Sequence, residues 1–295
     1  MDEEYPAWEF EKQVANGTEY DGRSFDTVIL GDSGAMSSIM PALMNESCIN
    51  MAVGGATSIE MYYFFRQYLQ DHKAPETVII MFAPFHYWHI DNYETRTLYF
   101  KAIPLTSLPE LYNNAKICDA SSVRTDGFIS DEISARCALP NKYLPAITAA
   151  RFIGRYDQNT GLYSDLQSSY GWGRFGEAEE CYDESYEVSY DDMEIDGDAK
   201  LIALYMQKLL RLCNDYGIRV RLLQPAVNSA TFEGLNAHYY ASYKKYIKEM
   251  ATVADDIEYE TELRVYDGKF FADTSHLNET GAVKFTAEIM SDVPD

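Results

Sequence analysis

The stretch FDTVILGDSGAMSS, from Phe25 to Ser38, contains the pattern that decides the fold. Its apolar run Val28–Leu30 is typical of a buried strand, and the sequence GDSG at Gly31–Gly34 is typical of a tight turn. Serine and glycine are ordinary turn residues, although several α/β hydrolytic folds present a serine nucleophile in the same way. This stretch alone therefore leaves two interpretations of Ser33, a turn residue or a nucleophile.

Strand-like and helix-like segments alternate along most of the chain. Amphipathic helices are predicted at Ile59–Leu69, Ala199–Cys213, Tyr239–Val253 and from Glu279 onward. The predicted strands are Thr27–Leu30, Cys48–Val53, Thr77–Pro84, Ile218–Val227 and Ile257–Leu263, and the first three are almost entirely apolar. This alternation predicts an α/β fold with a mostly parallel sheet, in which ligands bind beyond the carboxyl ends of the strands.

Residues 89–198 interrupt the alternation after the third predicted strand. We interpret them as an inserted cap subdomain of short helices and loops within a single domain that spans residues 1–295. The cap contains the acidic run EAEECYDESYEVSYDDMEID at Glu177–Asp196, which we interpret as a solvated face. Two functions of the cap stay open, binding of an acceptor or a passive loop subdomain.

The composition excludes several classes of partner. The chain has 47 acidic against 24 basic residues and a formal net charge of −23, which argues against nucleic acid and against an anionic membrane surface. Because no glycine-rich phosphate loop occurs, a nucleotide-dependent function is not expected. Since the five cysteines form no metal-binding pattern, we expect neither a metal nor a cofactor. Pairing of Cys118 with Cys137 stays open.

The N-terminal residues 1–24, beginning MDEEYPAWEFEKQ, are interpreted as an extension that precedes the first strand. No run of 18 apolar residues and no signal peptide occurs in the sequence. Two origins of this start stay open. It is either a natural cytoplasmic start or the stub that follows a removed N-terminal membrane anchor.

A second motif, DTSH at Asp273–His276, lies just before the last predicted helix. A serine nucleophile needs a nearby base, and that base needs a group that orients it. In a turn, this spacing places the Asp273 carboxylate on one imidazole nitrogen of His276, so that the other nitrogen can accept a serine proton. The alternative interpretation is a turn that caps the following helix.

Three blocks together, ILGDSG, NMAVGGAT and DTSHLN, resemble the SGNH (GDSL-type) hydrolase superfamily. The resemblance implies a flavodoxin-like three-layer sandwich with a mostly parallel five-stranded sheet and an insertion after the third strand. It also implies that Ser33 is the nucleophile, His276 the base and Asp273 its orienting group. Gly55, with Gly54 as the second choice, then provides a backbone oxyanion donor beside the Ser33 N–H.

The block after the third strand, MFAPFHYWHIDN, departs from the family pattern because it lacks the asparagine that completes the oxyanion hole. Asn92 is too far along the chain to take this place, so His86 or a backbone N–H is the expected substitute. Tyr87 and Trp88 either line an acyl or sugar pocket or pack in the core. Asn228, after a later strand, either faces the cleft or forms a turn.

A further resemblance is carried by the blocks APFHYW, QPAVN and FFADTSHLNETGA. They are similar to the family of the teichoic-acid D-alanylation D protein, and the alginate and cellulose O-acetylation proteins with an SGNH-like domain share its organisation. This resemblance implies serine-dependent acyl transfer to a cell-surface polysaccharide or cell-wall polymer, beside a membrane-bound O-acyltransferase. It also implies an extracytoplasmic, membrane-anchored protein, with a cytoplasmic location as the alternative. The alternative functions are an SGNH carbohydrate esterase or lipase-type hydrolase, and a catalytically silent module that binds a polymer or partner.

Overall fold

A five-stranded parallel sheet forms the centre of the computed structural model, which describes residues 4–44, 47–90, 93–123 and 152–291. The described strands are β1 Thr27–Gly31, β2 Cys48–Asn50, β3 Thr77–Met81, β4 Arg219–Leu222, β5 Ala226–Asn228, β6 Ile257–Tyr259 and β7 Arg264–Tyr266. The large sheet has the order β2-β1-β3-β4-β6, and β5 pairs with β7 in a small second sheet. This is the strand order of flavodoxin-like folds, so the predicted fold class is confirmed.

The apolar runs of the sequence explain why these strands lie at the centre. Every residue of β1 is buried, and β1 pairs in parallel with β2 on one side and β3 on the other. The register places Leu30 opposite Ile80 and Gly31 opposite Met81, so β1 and β3 end at the same level. The GDSG turn therefore leaves the sheet beside the segment that follows β3, at the carboxyl edge where such sheets bind ligands.

Helices surround the sheet. They are α1 Tyr5–Ala15, α2 Ser33–Ser38, α3 Ser58–Asp71, α4 Leu108–Cys118, α5 Phe152–Ser168, α6 Gly197–Asp215, α7 Ser229–Gly234, α8 Ala237–Met250 and α9 Glu279–Ser291. Helix α3 packs against α6, and α2 packs against α9. The segment we interpreted as an N-terminal extension contains α1, which packs against α3 and α5 and buries Trp8, Phe10 and Val14 in the core.

The single strand predicted at Ile218–Val227 is instead two strands, β4 and β5, which belong to different sheets. Pro225 lies between them and has no N–H to donate to a strand ladder. Beside Pro225, the buried Gln224 donates a hydrogen bond from its side-chain amide to the Glu260 carbonyl oxygen at 2.8 Å. The chain thus leaves the large sheet at this point and starts the small one.

The stretch between β3 and β4 contains the whole of the predicted cap. Its described parts hold α4, α5 and short 3-10 helices at Pro84–Tyr87 and Tyr186–Ser189. Asn92 and Cys137 lie outside the described residues. Four thiols, those of Cys48, Cys118, Cys181 and Cys213, form no disulfide with one another.

Candidate active site

Ser33 is the first residue of α2, directly after the turn that ends β1. Asp32 caps this helix, and its Oδ1 accepts a hydrogen bond from the Gly34 N–H at 2.8 Å. A side chain at Gly31 would place its Cβ 2.0 Å from the Met81 carbonyl oxygen, so only glycine allows the close approach of β1 and β3 here. The close approach of Gly31 to Met81 and the hydrogen bond from Gly34 to Asp32 therefore hold Ser33 at the carboxyl edge of the sheet.

His276 joins the two predicted motifs. Its Nε2 lies 2.8 Å from Ser33 Oγ, and its Nδ1 lies 2.8 Å from Asp273 Oδ2. Asp273 Oδ1 accepts hydrogen bonds from the N–H groups of Ser275 and His276, both at 2.8 Å, which fixes the turn. The structure thus brings Ser33, His276 and Asp273 together in the order that the sequence motifs predict.

Electrostatics determine which nitrogen of His276 carries the proton. Partial burial alone would raise the pKa of Asp273, but the hydrogen bond from His276 and those from two backbone N–H groups outweigh it and lower that pKa. An ionised carboxylate only accepts hydrogen bonds, so Nδ1–H donates to Asp273. Nε2 is then the acceptor for the Ser33 hydroxyl, as a general base requires.

Gly54 and Gly55 follow β2 and approach different neighbours. A Cβ at Gly54 would lie 3.8 Å from the Cβ of Ser33. At Gly55, where φ is +75°, it would lie 2.6 Å from Arg96 Nη1. Arg96 in turn forms a bidentate ion pair with Glu4. Gly54 is therefore the glycine beside Ser33, and Gly55 is the glycine beneath the Arg96 guanidinium.

Phe175 covers His276, and sequence reasoning did not single it out. Its ring stacks on the imidazole with centroids 4.7 Å apart and planes inclined by 22°. The next residue, Gly176, has a φ of +73°, and a Cβ there would lie 2.5 Å from the Ala272 carbonyl oxygen. Phe175 lies in the glycine- and aromatic-rich stretch SSYGWGRFG at Ser168–Gly176. It contacts His276 across about 100 positions of the sequence, so no local pattern indicates the contact.

His86 is bound to Asp32 beneath the Ser33 turn. The His86 Nδ1 lies 2.5 Å from Asp32 Oδ2, which also accepts the Ala83 N–H at 2.8 Å. Burial alone would raise the pKa of Asp32, but the hydrogen bond and charge of His86, together with two backbone N–H groups, lower it. Through the hydrogen bonds from Gly34 and Ala83, Asp32 orients the turn by way of backbone N–H groups. Its pairing with His86 was not foreseen.

Glu187 corrects the interpretation of the acidic run as a solvated face, because its side chain is buried. Its Oε1 accepts the Phe85 N–H at 3.0 Å, and its Oε2 accepts the Tyr239 hydroxyl at 2.5 Å. Burial raises the pKa of Glu187 to about 7, more than these hydrogen bonds lower it. Within the run, the sequence SYEVSY at Ser185–Tyr190, in which Glu187 lies between Tyr186 and Val188, was the available signal of a buried turn.

The other predicted lining residues lie elsewhere. Tyr87 is fully buried and packs against Phe82 and two tyrosines of α8, so it belongs to the core. Trp88 borders a separate cavity of about 690 Å³, and half of the other residues that line it are acidic. Asn228 caps α7 by accepting the Thr231 N–H at 2.7 Å and donates to the Thr274 carbonyl oxygen at 3.2 Å. Asn228 therefore supports the His276 turn from behind.

A small cavity of about 90 Å³ opens beside Ser33. His276 and His86 line it from two sides, and Glu187 contributes to the wall that the cap provides. Its remaining lining residues are Gly34, Ala83, Pro84, Ser185, Tyr186, Pro225, Ala226, Val227, Thr274 and Ser275. The cavity therefore joins the candidate nucleophile to a polar wall and to a mainly apolar one.

In residues 4–44, 47–90, 93–123 and 152–291, no group of three or more His, Cys, Asp or Glu side chains is arranged to hold a metal ion. In the same ranges, no helix has both the length and the apolar character that crossing a membrane requires.

Comparison with known proteins finds distant structural similarity and no match in sequence. No family model matches the chain, and no curated protein matches it. Among solved structures, it is similar to a protein of Streptococcus pneumonia provisionally described as a platelet activating factor, with a TM-score of 0.45 and 8% identity. The match covers 96% of this chain and 90% of that one. The fold assignment rests on the strand order given above.

Proposed function

We propose that this chain is a serine-dependent enzyme that takes up an acyl group on Ser33. One observation carries the proposal, the continuous hydrogen-bonded row from Ser33 Oγ to His276 Nε2 and from His276 Nδ1 to Asp273, each step at 2.8 Å. A nucleophile, a base and an orienting carboxylate in this order are the arrangement that activates a serine hydroxyl.

The proposed reaction has two half-reactions. Ser33 Oγ attacks the acyl carbonyl carbon while its proton moves to His276 Nε2, and the carbonyl oxygen becomes an oxyanion. The oxyanion collapses, the bond to the leaving group breaks, and His276 Nε2 returns the proton to that group. A second hydroxyl, of water or of an acceptor, then attacks the Ser33 ester through the same proton transfers. Asp273 keeps its negative charge throughout and stabilises the imidazolium.

The oxyanion would form against the backbone N–H groups of Ser33 and of a glycine in the GG pair. We assign Gly54 to this role before Gly55, because Gly54 lies beside Ser33 and Gly55 lies beneath Arg96. The loss of a single oxyanion donor costs about 10²–10³ in rate, so these backbone contacts are central to the proposed chemistry.

We further propose that the acceptor is a hydroxyl of a cell-surface polysaccharide or cell-wall polymer, in an extracytoplasmic reaction with a membrane-bound O-acyltransferase as partner. The sequence blocks that resemble the O-acylation families support this finer assignment. Two features of the site favour a short acyl group and limited access of water: the cavity of about 90 Å³ and the Phe175 ring stacked on His276. Simple ester hydrolysis is the alternative outcome of the same acyl-enzyme.

Acceptor dependence separates transfer from hydrolysis. p-Nitrophenyl acetate would be supplied as the acyl donor, with and without a polysaccharide-derived oligosaccharide. Transfer predicts that acetylated oligosaccharide appears in mass spectra and that Ser33→Ala abolishes it. Rapid release of acetate that is indifferent to the oligosaccharide would contradict transfer and leave the esterase function. A Ser33→Ala variant as active as the wild type would contradict both.

A further inference from the structure

Three ionisable side chains, Asp32, His86 and Glu187, gather behind the cavity beside Ser33. Asp32 has no exposed surface, and His86 and Glu187 are 7% and 5% exposed. The three come from the nucleophile turn, the segment after β3 and the cap. The proposed reaction, in which Ser33 and His276 exchange a proton and Asp273 stays ionised, uses none of these three side chains. Their burial beside the reacting group therefore needs a separate explanation.

The backbone donors of the segment after β3 already have partners. The Ala83 N–H donates to Asp32, the Phe85 N–H donates to Glu187, and the His86 N–H donates to the Ala83 carbonyl oxygen. Pro84 has no N–H. The oxyanion donor that this segment would supply in the SGNH pattern therefore has to be a side chain. His86 is the side chain of this segment with a polar group on the wall of the cavity.

The surroundings of His86 favour its charged form. A fully buried carboxylate is costly unless a cation pairs with it, and the Asp32 carboxylate is 2.5 Å from His86 Nδ1. From the cap side, the Glu187 carboxyl interacts electrostatically with the His86 charge and accepts the hydroxyl of Tyr239. The other ionisable neighbours are two tyrosines, Tyr87 near Asp32 and Tyr239 beside Glu187, and neither carries a positive charge that would oppose protonation of His86. The Asp32 carboxylate thus stabilises a positive charge on the imidazole.

We infer that His86 is a further catalytic residue, which is held as an imidazolium by Asp32 and donates its Nε2–H to the oxyanion that forms at Ser33. The inference rests on the proposed acyl-enzyme reaction. Glu187 is a positioning residue, since it accepts the N–H of Phe85 and so fixes the turn that carries His86. The proton stays on His86 throughout, because its task is to stabilise negative charge and His276 alone transfers protons.

A cationic donor would replace the neutral amide of the SGNH pattern, and hydrogen bonds from charged donors are roughly twice as strong as those between neutral groups. The two histidines of the site then need opposite protonation states. His276 has to be neutral to accept the Ser33 proton, whereas His86 has to be protonated. Their different partners fit this requirement, since His86 is paired with a fully buried carboxylate and Asp273 is half-exposed.

Histidine-selective NMR of the full chain tests the charge directly. In 13C,15N-histidine-labelled protein at neutral pH, the His86 ring is expected to show the imidazolium nitrogen shifts, with His86→Gln assigning the signal. The midpoint of the His86 titration should fall in Asp32→Asn. A neutral His86 ring at neutral pH in the wild-type protein would overturn the inference even if Ser33 is the nucleophile.

Kinetics test the role of that charge. With p-nitrophenyl acetate, His86→Ala is expected to lower kcat by about 10²–10³ with little change in KM, as loss of an oxyanion donor does. His89→Ala, which changes another histidine of the same segment, is the control and should keep the wild-type rate. A His86→Ala variant that retains wild-type kcat would overturn the inference, whereas loss of Ser33 dependence would overturn the proposed function.

Discussion

Ser33 and His276 are 243 positions apart in the sequence, and Ser33 Oγ lies 2.8 Å from His276 Nε2. The contact exists because β1 and the loop before α9 both reach the carboxyl edge of the sheet. At that edge Asp32 fixes the turn of Ser33 and Asp273 fixes the turn of His276, each through backbone N–H groups. The relative position of nucleophile and base is therefore set by the two turns that these aspartates fix.

Asp273→Asn should lower kcat by about 10³–10⁴ with KM nearly unchanged. An asparagine amide facing His276 Nδ1 donates where the carboxylate accepted, so the imidazole is held in the tautomer whose Nε2 carries the proton. Steady-state kinetics with p-nitrophenyl acetate measure the effect. Asp267→Asn is the matched control, since Asp267 caps a neighbouring turn through the Lys269 N–H. Equal rates for the two variants would contradict the orienting role of Asp273.

Gly31→Ala should strongly destabilise the fold, by several kcal/mol, because its Cβ would meet the Met81 carbonyl oxygen at 2.0 Å and a backbone atom of a central strand has no room to move. Gly161→Ala in α5 is the control. No atom lies within 4 Å of a Cβ there, so this change should be neutral or stabilise by up to about 1 kcal/mol. Urea unfolding followed by circular dichroism compares the two. A Gly31→Ala variant as stable as the wild type would contradict the described pairing of β1 and β3.

Glu187→Gln should change how stability depends on pH. Burial raises the pKa of Glu187 from its ordinary 4.5 to about 7, so between these values the unfolded chain releases the proton while the folded chain keeps it. The stability that this group contributes is thus complete below pH 4.5 and is lost as pH rises to 7, by roughly 3 kcal/mol.

Glutamine has no such loss, so the difference in unfolding free energy between the variant and the wild type should grow in favour of the variant across this window. Urea unfolding of both proteins at several pH values measures it. Parallel curves for the two proteins between pH 4.5 and 7 would contradict the buried, protonated state of Glu187.

The sequence predicted the parts of the molecule that depend on local pattern. The apolar run of β1, the glycine after it and the DTSH turn each carry their own signal, because strand burial and tight turns constrain consecutive residues. Ser33, His276 and Asp273 were identified from these signals together with a resemblance that orders them. The one strand that was wrong, at Ile218–Val227, contained Pro225, whose missing N–H ends the ladder.

The contacts that the sequence did not predict join distant segments of irregular structure. Phe175 and Glu187 lie in the cap, where no periodicity indicates which side chain turns inward. Glu187 also lies in a run of acidic residues that are mostly exposed, and its burial depends on donors from Phe85 and Tyr239. Pairing of Asp32 with His86 required the register of β1 against β3, which a sequence pattern does not give.

Covalent labelling of Ser33 tests the central proposal most directly. A fluorophosphonate probe reacts with an activated serine by losing fluoride and forming a bond between the serine oxygen and phosphorus. Intact-mass and peptide mass spectrometry should find one probe adduct on Ser33 in the wild-type chain and none in Ser33→Ala. Ser37→Ala, which removes a buried hydroxyl from the same helix, should be labelled like the wild type. Absence of label from the folded wild-type protein, or equal labelling of Ser33→Ala, would contradict the proposal that Ser33 is the nucleophile.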